Sequence, residues 1–199
     1  MELAKSKTFG NLARAFAGEC QARVRYEFIE YGARNEGYAA IAELIDSVVY
    51  NEFNHARMFY TCIQQASDKE IKNIDVCAGF PFKEKWDLTD NFRLAAEDER
   101  LEAEEIYPEF ARTAKEEGFV DIAGLFDNVI AVEKKHERLF NELYKQMKDG
   151  TLYKRKTPTL WKCPSCGYEA VLPEAWDKCP LCQAPQGTVE LVLPKEAQL

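Results

Sequence analysis

The chain contains two histidines, His55 and His136, and each follows a glutamate by three residues, Glu52 and Glu133. Three residues is close to one helical turn, so in a helix each Glu-x-x-His pair projects from one face. The pairs sit in a longer repeat. Gly37 to His55 matches Gly118 to His136 at 8 of 19 positions without a gap, and Ala33-Arg-Asn-Glu-Gly-Tyr38 answers Ala114-Lys-Glu-Glu-Gly-Phe119. A sequence built this way holds two copies of one helix pair, which restricts the fold to architectures with approximate internal symmetry.

Helical periodicity sorts the remaining acids. Glu52 and His55 share an apolar stripe with Ile41, Ile45, Val48, Phe59 and Ile63, and Glu133 and His136 share one with Phe126, Val129 and Phe140. In the acid-rich segment from Leu88 to Glu117, only Glu99 and Glu102 fall on the stripe of Phe92, Ala95, Ala103, Ile106 and Phe110. Glu97, Glu104 and Glu105 point elsewhere, toward solvent. Glu19 lies with Leu12, Ala15, Ala22 and Tyr26 in the first segment, although Arg23 and Glu30 make that face less clean. Gly37 and Gly118 are positioned to end the first and third helices. Pro108 is expected to kink the third. The stretch from Ser67 to Trp86 is too long for a hairpin loop and predicts a crossover between the halves. The expected fold is mainly α, a ferritin-like four-helix bundle over residues 1–150.

One carboxylate on an apolar face is tolerable, but several on four converging helices need positive charge. Two divalent metals supply it. A bundle-core dimetal site takes one Glu from each of two helices and Glu-x-x-His from each of the others, a pattern filled by Glu19, Glu99, Glu52/His55 and Glu133/His136. Carboxylate oxygens with imidazole suit iron or manganese. Glu102 is surplus to that set. It is either a carboxylate that exchanges with His55 as the metals change oxidation state, or a hydrogen-bond acceptor behind the ligands.

After Gly150 the helical pattern gives way to a basic connector, and then to Cys163-Pro-Ser-Cys166-Gly and Cys179-Pro-Leu-Cys182, with 12 residues between the two pairs. Two such knuckles form a tetrahedral four-thiolate site, so residues 151–199 are expected to be a linker and a small metal domain with Trp161, Tyr168 and Trp176 at its core. Structural zinc fits four thiolates as well as iron does. A dimetal site in the same chain favours iron, because a one-electron relay would serve it. Cys20, Cys62 and Cys77 are read as packing thiols.

With 46% apolar residues in 199, the chain can bury a core. A net charge of −8 argues against nucleic acid as a partner. Met1 to Leu12 does not resemble a signal peptide and no apolar run reaches membrane-spanning length, so a cytoplasmic protein without membrane association is expected.

Several motifs together resemble the rubrerythrin family along nearly the whole chain: Phe16-Ala-Gly-Glu-Cys-Gln-Ala-Arg23 with Tyr26, Asn51-Glu-Phe-Asn-His55, Glu99-Arg-Leu-Glu102 with Tyr107-Pro108, Glu133-Lys-Lys-His136, and the rubredoxin-like CPxCG and CPxC knuckles. The resemblance implies a non-haem di-iron peroxidase that reduces hydrogen peroxide to water. Electrons would come from an NAD(P)H-dependent reductase or a rubredoxin, through a rubredoxin-type Fe(Cys)4 centre. It also implies a homodimer, with Glu19, Glu52, His55, Glu99, Glu102, Glu133 and His136 as iron ligands, Glu52 and Glu133 bridging, and His55 exchanging with Glu102. Tyr26 and Tyr107 resemble tyrosines that hydrogen-bond to ligand carboxylates; the alternative for each is an ordinary core aromatic. Cys20 stands where relatives often carry a small hydroxyl residue. Two other readings fit the residues: a ferritin-like protein that oxidises and stores iron, and a non-redox scaffold with zinc in both sites.

Overall fold

The computed structural model describes residues 2–81 and 86–199. Helix α1 (Lys7–Asn35) begins where the Ser6 side chain accepts the Phe9 N–H at 3.1 Å. Two more of its free N–H groups, from Lys7 and Thr8, donate to the Glu117 carboxylate at 3.0 and 2.8 Å. First-turn donors have no partner inside a helix, so this carboxylate closes the end electrostatically as well as by hydrogen bonding.

Helix α1 stops at Gly37, whose φ of +87° suits a residue without a β-carbon. The Tyr38 N–H then reaches back to the Ala33 carbonyl at 2.8 Å. The same closure recurs one repeat later, with Gly118 at φ +89° and Phe119 N–H bonded to Ala114 O at 2.8 Å. These turns launch α2 (Ala39–Gln65) and α5 (Val120–Lys148) antiparallel to the helices before them. No regular structure occurs over 67–81; the remainder of the expected crossover, 82–85, lies outside the described residues.

The third helix of the bundle is composite. Helix α3 (Leu88–Leu101) runs into a π turn over Glu102–Ile106 and continues as α4 (Tyr107–Glu116). The interruption expected at Pro108 is present, with the proline in the first turn of α4. The irregularity lies just before the proline, where the Tyr107 N–H bonds to the carbonyl of Glu102, five residues back. The reading of Ile106 is corrected: 41% exposed, it leaves the inward stripe, while Ala103 and Tyr107 are buried.

The core forms two apolar plugs. Tyr26, Ile41, Ile45, Phe92, Phe140 and Leu143 fill the end nearer Gly37, and Leu12, Phe59, Tyr107, Phe110, Phe126 and Val129 fill the other. Buried carboxylates and imidazoles occupy the layer between them.

Beyond α5, strands β1 (Lys154–Lys162) and β2 (Glu169–Glu174) pair antiparallel. They support a small core of Trp161, Trp176 and Val189 around Cys163 and Cys179, with Tyr168 edge-on to Trp176. This unit rests on the end of the bundle. Gln146 Nε2 and Arg155 both donate to the Val192 carbonyl, at 3.1 and 2.9 Å. Gly187 packs so tightly that a β-carbon there would stand 1.7 Å from the Gly37 carbonyl oxygen.

Candidate metal centre

Each long helix delivers one glutamate to the polar layer: Glu19 from α1, Glu52 from α2, Glu99 from α3 and Glu133 from α5, all at most 1% exposed. The donor atoms sort into two tetrads, Glu19/Glu52/His55/Glu133 and Glu52/Glu99/Glu133/His136. Glu52 and Glu133 belong to both, and they divide their oxygens. From Glu52, Oε2 lies 3.0 Å from His55 Nδ1 and Oε1 lies 3.0 Å from His136 Nδ1. From Glu133, Oε1 lies 2.9 Å from His55 Nδ1 and Oε2 lies 2.8 Å from His136 Nδ1. The outer carboxylates complete the sets, with Glu19 Oε2 at 3.6 Å from His55 Nδ1 and Glu99 Oε2 at 3.7 Å from His136 Nδ1. Donors bound to one cation at ~2.1 Å stand roughly 3 Å apart, so the spacing suits a cation in each tetrad.

Unpaired atoms mark where those cations belong. Glu19 Oε2, Glu52 Oε1, Glu99 Oε2, both Glu133 oxygens and His136 Nδ1 are buried without a hydrogen-bond partner. Every one of them faces a tetrad. The outer oxygens turned away from the tetrads are held: Tyr26 Oη donates to Glu99 Oε1 at 2.5 Å, and Tyr107 Oη donates to Glu19 Oε1. The two tyrosines thus exchange partners across the bundle, each fixing the ligand of the opposite helix.

Charge is as concentrated as the geometry suggests. Burial pushes Glu19 well above the ordinary carboxylate range and Glu99 up to about 8. Burial alone would raise Glu52 too, but the imidazoles of His136 and His55 outweigh it and hold the carboxyl low. Burial works against protonation of His55, and the carboxylates around it, Glu133 first, raise it well above the ordinary imidazole range. A buried layer this acidic is stabilised by cations, and the set of hard oxygens with two imidazoles fits two irons.

Glu102 lies outside both tetrads, half-buried beside Gly18 and Tyr107 on the Glu19 side. Burial and the neighbouring carboxylates, Glu19 foremost, raise its pKa well above the usual range. Its placement follows from the π turn. Four repeat pairs are 81 residues apart: Tyr26/Tyr107, Gly37/Gly118, Glu52/Glu133 and His55/His136. Glu19 and Glu99 are 80 apart. The second copy therefore has one extra residue between its glutamate and its tyrosine, and the π turn absorbs it, so both tyrosines still arrive two turns after their glutamates.

In the C-terminal domain, Cys163 Sγ is 3.7 Å from Cys182 Sγ and Cys166 Sγ is 3.6 Å from Cys179 Sγ. Four sulfurs at ~2.3 Å from one ion stand about 3.8 Å apart, so these separations suit a single iron held by all four. Although burial raises the Cys179 thiol, backbone N–H groups of Cys182 and Leu181 bring it down to about 7, toward the thiolate a metal needs. Gly167 turns the first knuckle at φ +76°; Gln183 makes the same left-handed turn in the second at φ +64°.

Sequence reasoning missed two polar residues beside the site. Asn51 Nδ2 lies 3.2 Å from His136 Nε2, behind the ligating edge, and the buried Asp98 on α3 pairs with Arg25 on α1. Asn51 adjoins Glu52, and that adjacency was the available signal. Arg23 and Glu30 turn aside to pair with Glu27 and Arg34. The reading of Cys77 as a packing thiol is corrected, since it is exposed in the connector; Cys20 and Cys62 are half-buried.

Comparison with known proteins agrees with this arrangement. The rubrerythrin family model matches residues 10–144, and the model of the rubredoxin-like domain of rubrerythrin matches residues 161–188. A rubrerythrin of Clostridium perfringens is 37% identical over 94% of each chain. One of Porphyromonas gingivalis is also 37% identical, over 93% of this chain and 90% of its own. Among solved structures, nigerythrin in a partially reduced state superposes with a TM-score of 0.61 at 26% identity, covering 96% of this chain and 94% of its own.

Proposed function

The chain belongs to the rubrerythrin family, di-iron proteins of oxidative-stress defence, and from that premise we propose that it is a peroxidase that reduces hydrogen peroxide to water. The observation that carries this reading is the crosswise division of the Glu52 and Glu133 oxygens between two histidines, in a chain that also holds four converging thiolates. When bound, the two irons supply two electrons and the Lewis acidity that polarises the O–O bond. Cleavage of H2O2 with two electrons and two protons gives two molecules of water.

The residues of the chain do the rest. Glu52 and Glu133, shared by both tetrads, would hold both metals, and Glu19 and Glu99 are locked in orientation by Tyr107 and Tyr26. Glu102, on the Glu19 side with its pKa raised by burial, would offer a further carboxylate in place of His55 to an oxidised metal pair and would hold a proton otherwise. The apolar plugs close the layer at its two ends.

The same proposal assigns Cys163, Cys166, Cys179 and Cys182 to the iron that passes electrons inward, supplied by an NAD(P)H-dependent reductase or a rubredoxin. It places the protein in the cytoplasm as a homodimer. Among the described residues no helix is long and apolar enough to cross a membrane. Support for the dimer comes from Phe28, Tyr31, Tyr50, Phe53 and Tyr60, large side chains exposed on α1 and α2.

The test is an anaerobic titration of the iron-loaded, reduced protein with hydrogen peroxide. Two irons in the bundle and one on the cysteines are expected per chain, with one peroxide consumed for every two electrons. Oxidation by oxygen but not by peroxide, or uptake of iron far beyond three per chain, would replace the peroxidase reading with iron oxidation and storage.

A further inference from the structure

A cleft of about 410 Å³ opens between α1, the π turn and the connector from Cys77 to Pro81, and its floor belongs to the metal centre. Glu102, Tyr107 and Gly18 line that floor. A β-carbon at Gly18 would stand 3.9 Å from both Glu102 Oε1 and Tyr107 Oη, so at this position α1 places no side chain against these two groups. Much of the wall is apolar, with Ala15, Leu101, Ile106 and Phe110 from the helices and Phe80 and Pro81 from the connector, beside the charged side chains of Arg14, Arg25, Asp98, Glu105 and Glu109.

Hydrogen peroxide does not need such a space. It has two heavy atoms, it requires the room of one or two waters at ~30 Å³ each, and it gains nothing from carbon walls. The cleft instead falls in the range of sites for small organic ligands, about 300–1,000 Å³.

We propose that this cleft admits alkyl hydroperoxides, with a short alkyl tail against Phe80, Leu101 and Phe110 and the hydroperoxide group at Glu102 and Tyr107. The proposal rests on the peroxidase reading and extends its substrate class. The reaction balances as ROOH with two electrons and two protons giving ROH and H2O. The O–O bond breaks, the reduced metal pair is the two-electron donor, and the alcohol leaves through the cleft.

The test uses the full-length, iron-loaded, reduced protein and a series of primary hydroperoxides from ethyl to pentyl, with hydrogen peroxide as reference. Burial of the tail predicts a second-order oxidation rate that climbs by up to about fourfold per methylene. An Ala78→Trp substitution at the cleft roof is expected to lower the ratio of the pentyl to the hydrogen peroxide rate constant by about tenfold. A readout independent of turnover comes from Cys77, which lines the same cleft. Its alkylation by a maleimide, followed by peptide mass spectrometry, is expected to slow when 1-pentanol fills the space. Rates that fall steadily with chain length, or Cys77 labelling indifferent to 1-pentanol, overturn the proposal while leaving hydrogen peroxide reduction intact. If hydrogen peroxide also fails to oxidise the reduced protein, the peroxidase reading falls with it.

Discussion

Glu99 shows how the site couples to stability through single residues. Burial raises its carboxyl from 4.5 to about 8, so in metal-free protein the folded state binds this proton more tightly than the unfolded chain. The resulting stabilisation is complete below pH 4.5 and is lost as pH rises to about 8. Thermal melts of the iron-free protein should therefore show a melting temperature that declines over that window, with a shallower decline in Glu99→Gln. Equal slopes in the two proteins would contradict this. The histidines differ too. His136 has Asn51 behind its second ring nitrogen, whereas the residue 81 positions after Asn51, beside Glu133, is Val132, whose side chain has no polar atom to offer. With Glu102 available on the Glu19 side, His55→Ala should retain most bundle iron with altered redox behaviour, and His136→Ala should lose it. Iron per chain in the two purified variants decides the point. Gln183 carries a cost of another kind: a left-handed φ of +64° is worth roughly 1 kcal/mol against a residue with a β-carbon. Gln183→Gly should raise the unfolding temperature of the cysteine domain, and no rise would show that the Gln183 side-chain bond to the Cys179 carbonyl compensates.

Among the elements, most of the bundle was legible because its signals are local. Apolar periodicity marked four inward faces, the repeat doubled each inference, and glycine marked the helix ends, where the structure has positive φ. The π turn was not legible from a uniform 100° per residue, and Ile106 was misplaced for that reason. Two signals in the sequence could have exposed it. The inward residues Glu99, Ala103, Tyr107 and Ala111 recur every four positions, and in a straight α-helix each such step drifts by about 40°, so they cannot all stay on one face. The repeat offset also changes from 81 at Tyr26/Tyr107 to 80 at Glu19/Glu99. Asn51 and Asp98 were missed because a polar residue beside a ligand carries no periodic signature. The offset makes a prediction. Deleting the exposed Glu105 should remove the π turn and restore the two-turn spacing that Glu19 and Tyr26 have in α1, leaving Pro108 to bend the joined helix. Bundle iron should stay at two per chain while Glu102 swings out of register and oxidation by peroxide slows. Loss of iron from the deletion variant would show that the extra residue serves the ligand set itself.

For the molecule as a whole, the C-terminal domain rests on the wrong end of its own bundle for a short electron path. Its contacts fall at Gly37, Tyr38 and Gln146, and the helix from Tyr38 to Glu52 spans about 20 Å. Electron tunnelling weakens exponentially with distance, so a relay this far from its own dimetal layer is poorly placed to serve it. In a head-to-tail homodimer the cysteine centre of one protomer could instead approach the bundle of the other. Gly187 sets the docking: with a β-carbon 1.7 Å from the Gly37 carbonyl oxygen, Gly187→Ala must shift the domain. That variant should keep all three irons yet lose reductase-driven turnover, measured against chemically reduced protein as control. The path itself can be tested by removing everything after Lys156, which leaves the bundle ligands in place, and mixing that chain with a full-length His136→Ala chain. Neither alone should sustain NADH-driven peroxide reduction through a reductase. Turnover that returns only in the mixed dimer places the electron path between protomers. No recovery, with both chains shown to have co-assembled, would confine each cysteine centre to its own bundle despite the distance. Full turnover by the truncated chain alone would remove the cysteine centre from the path.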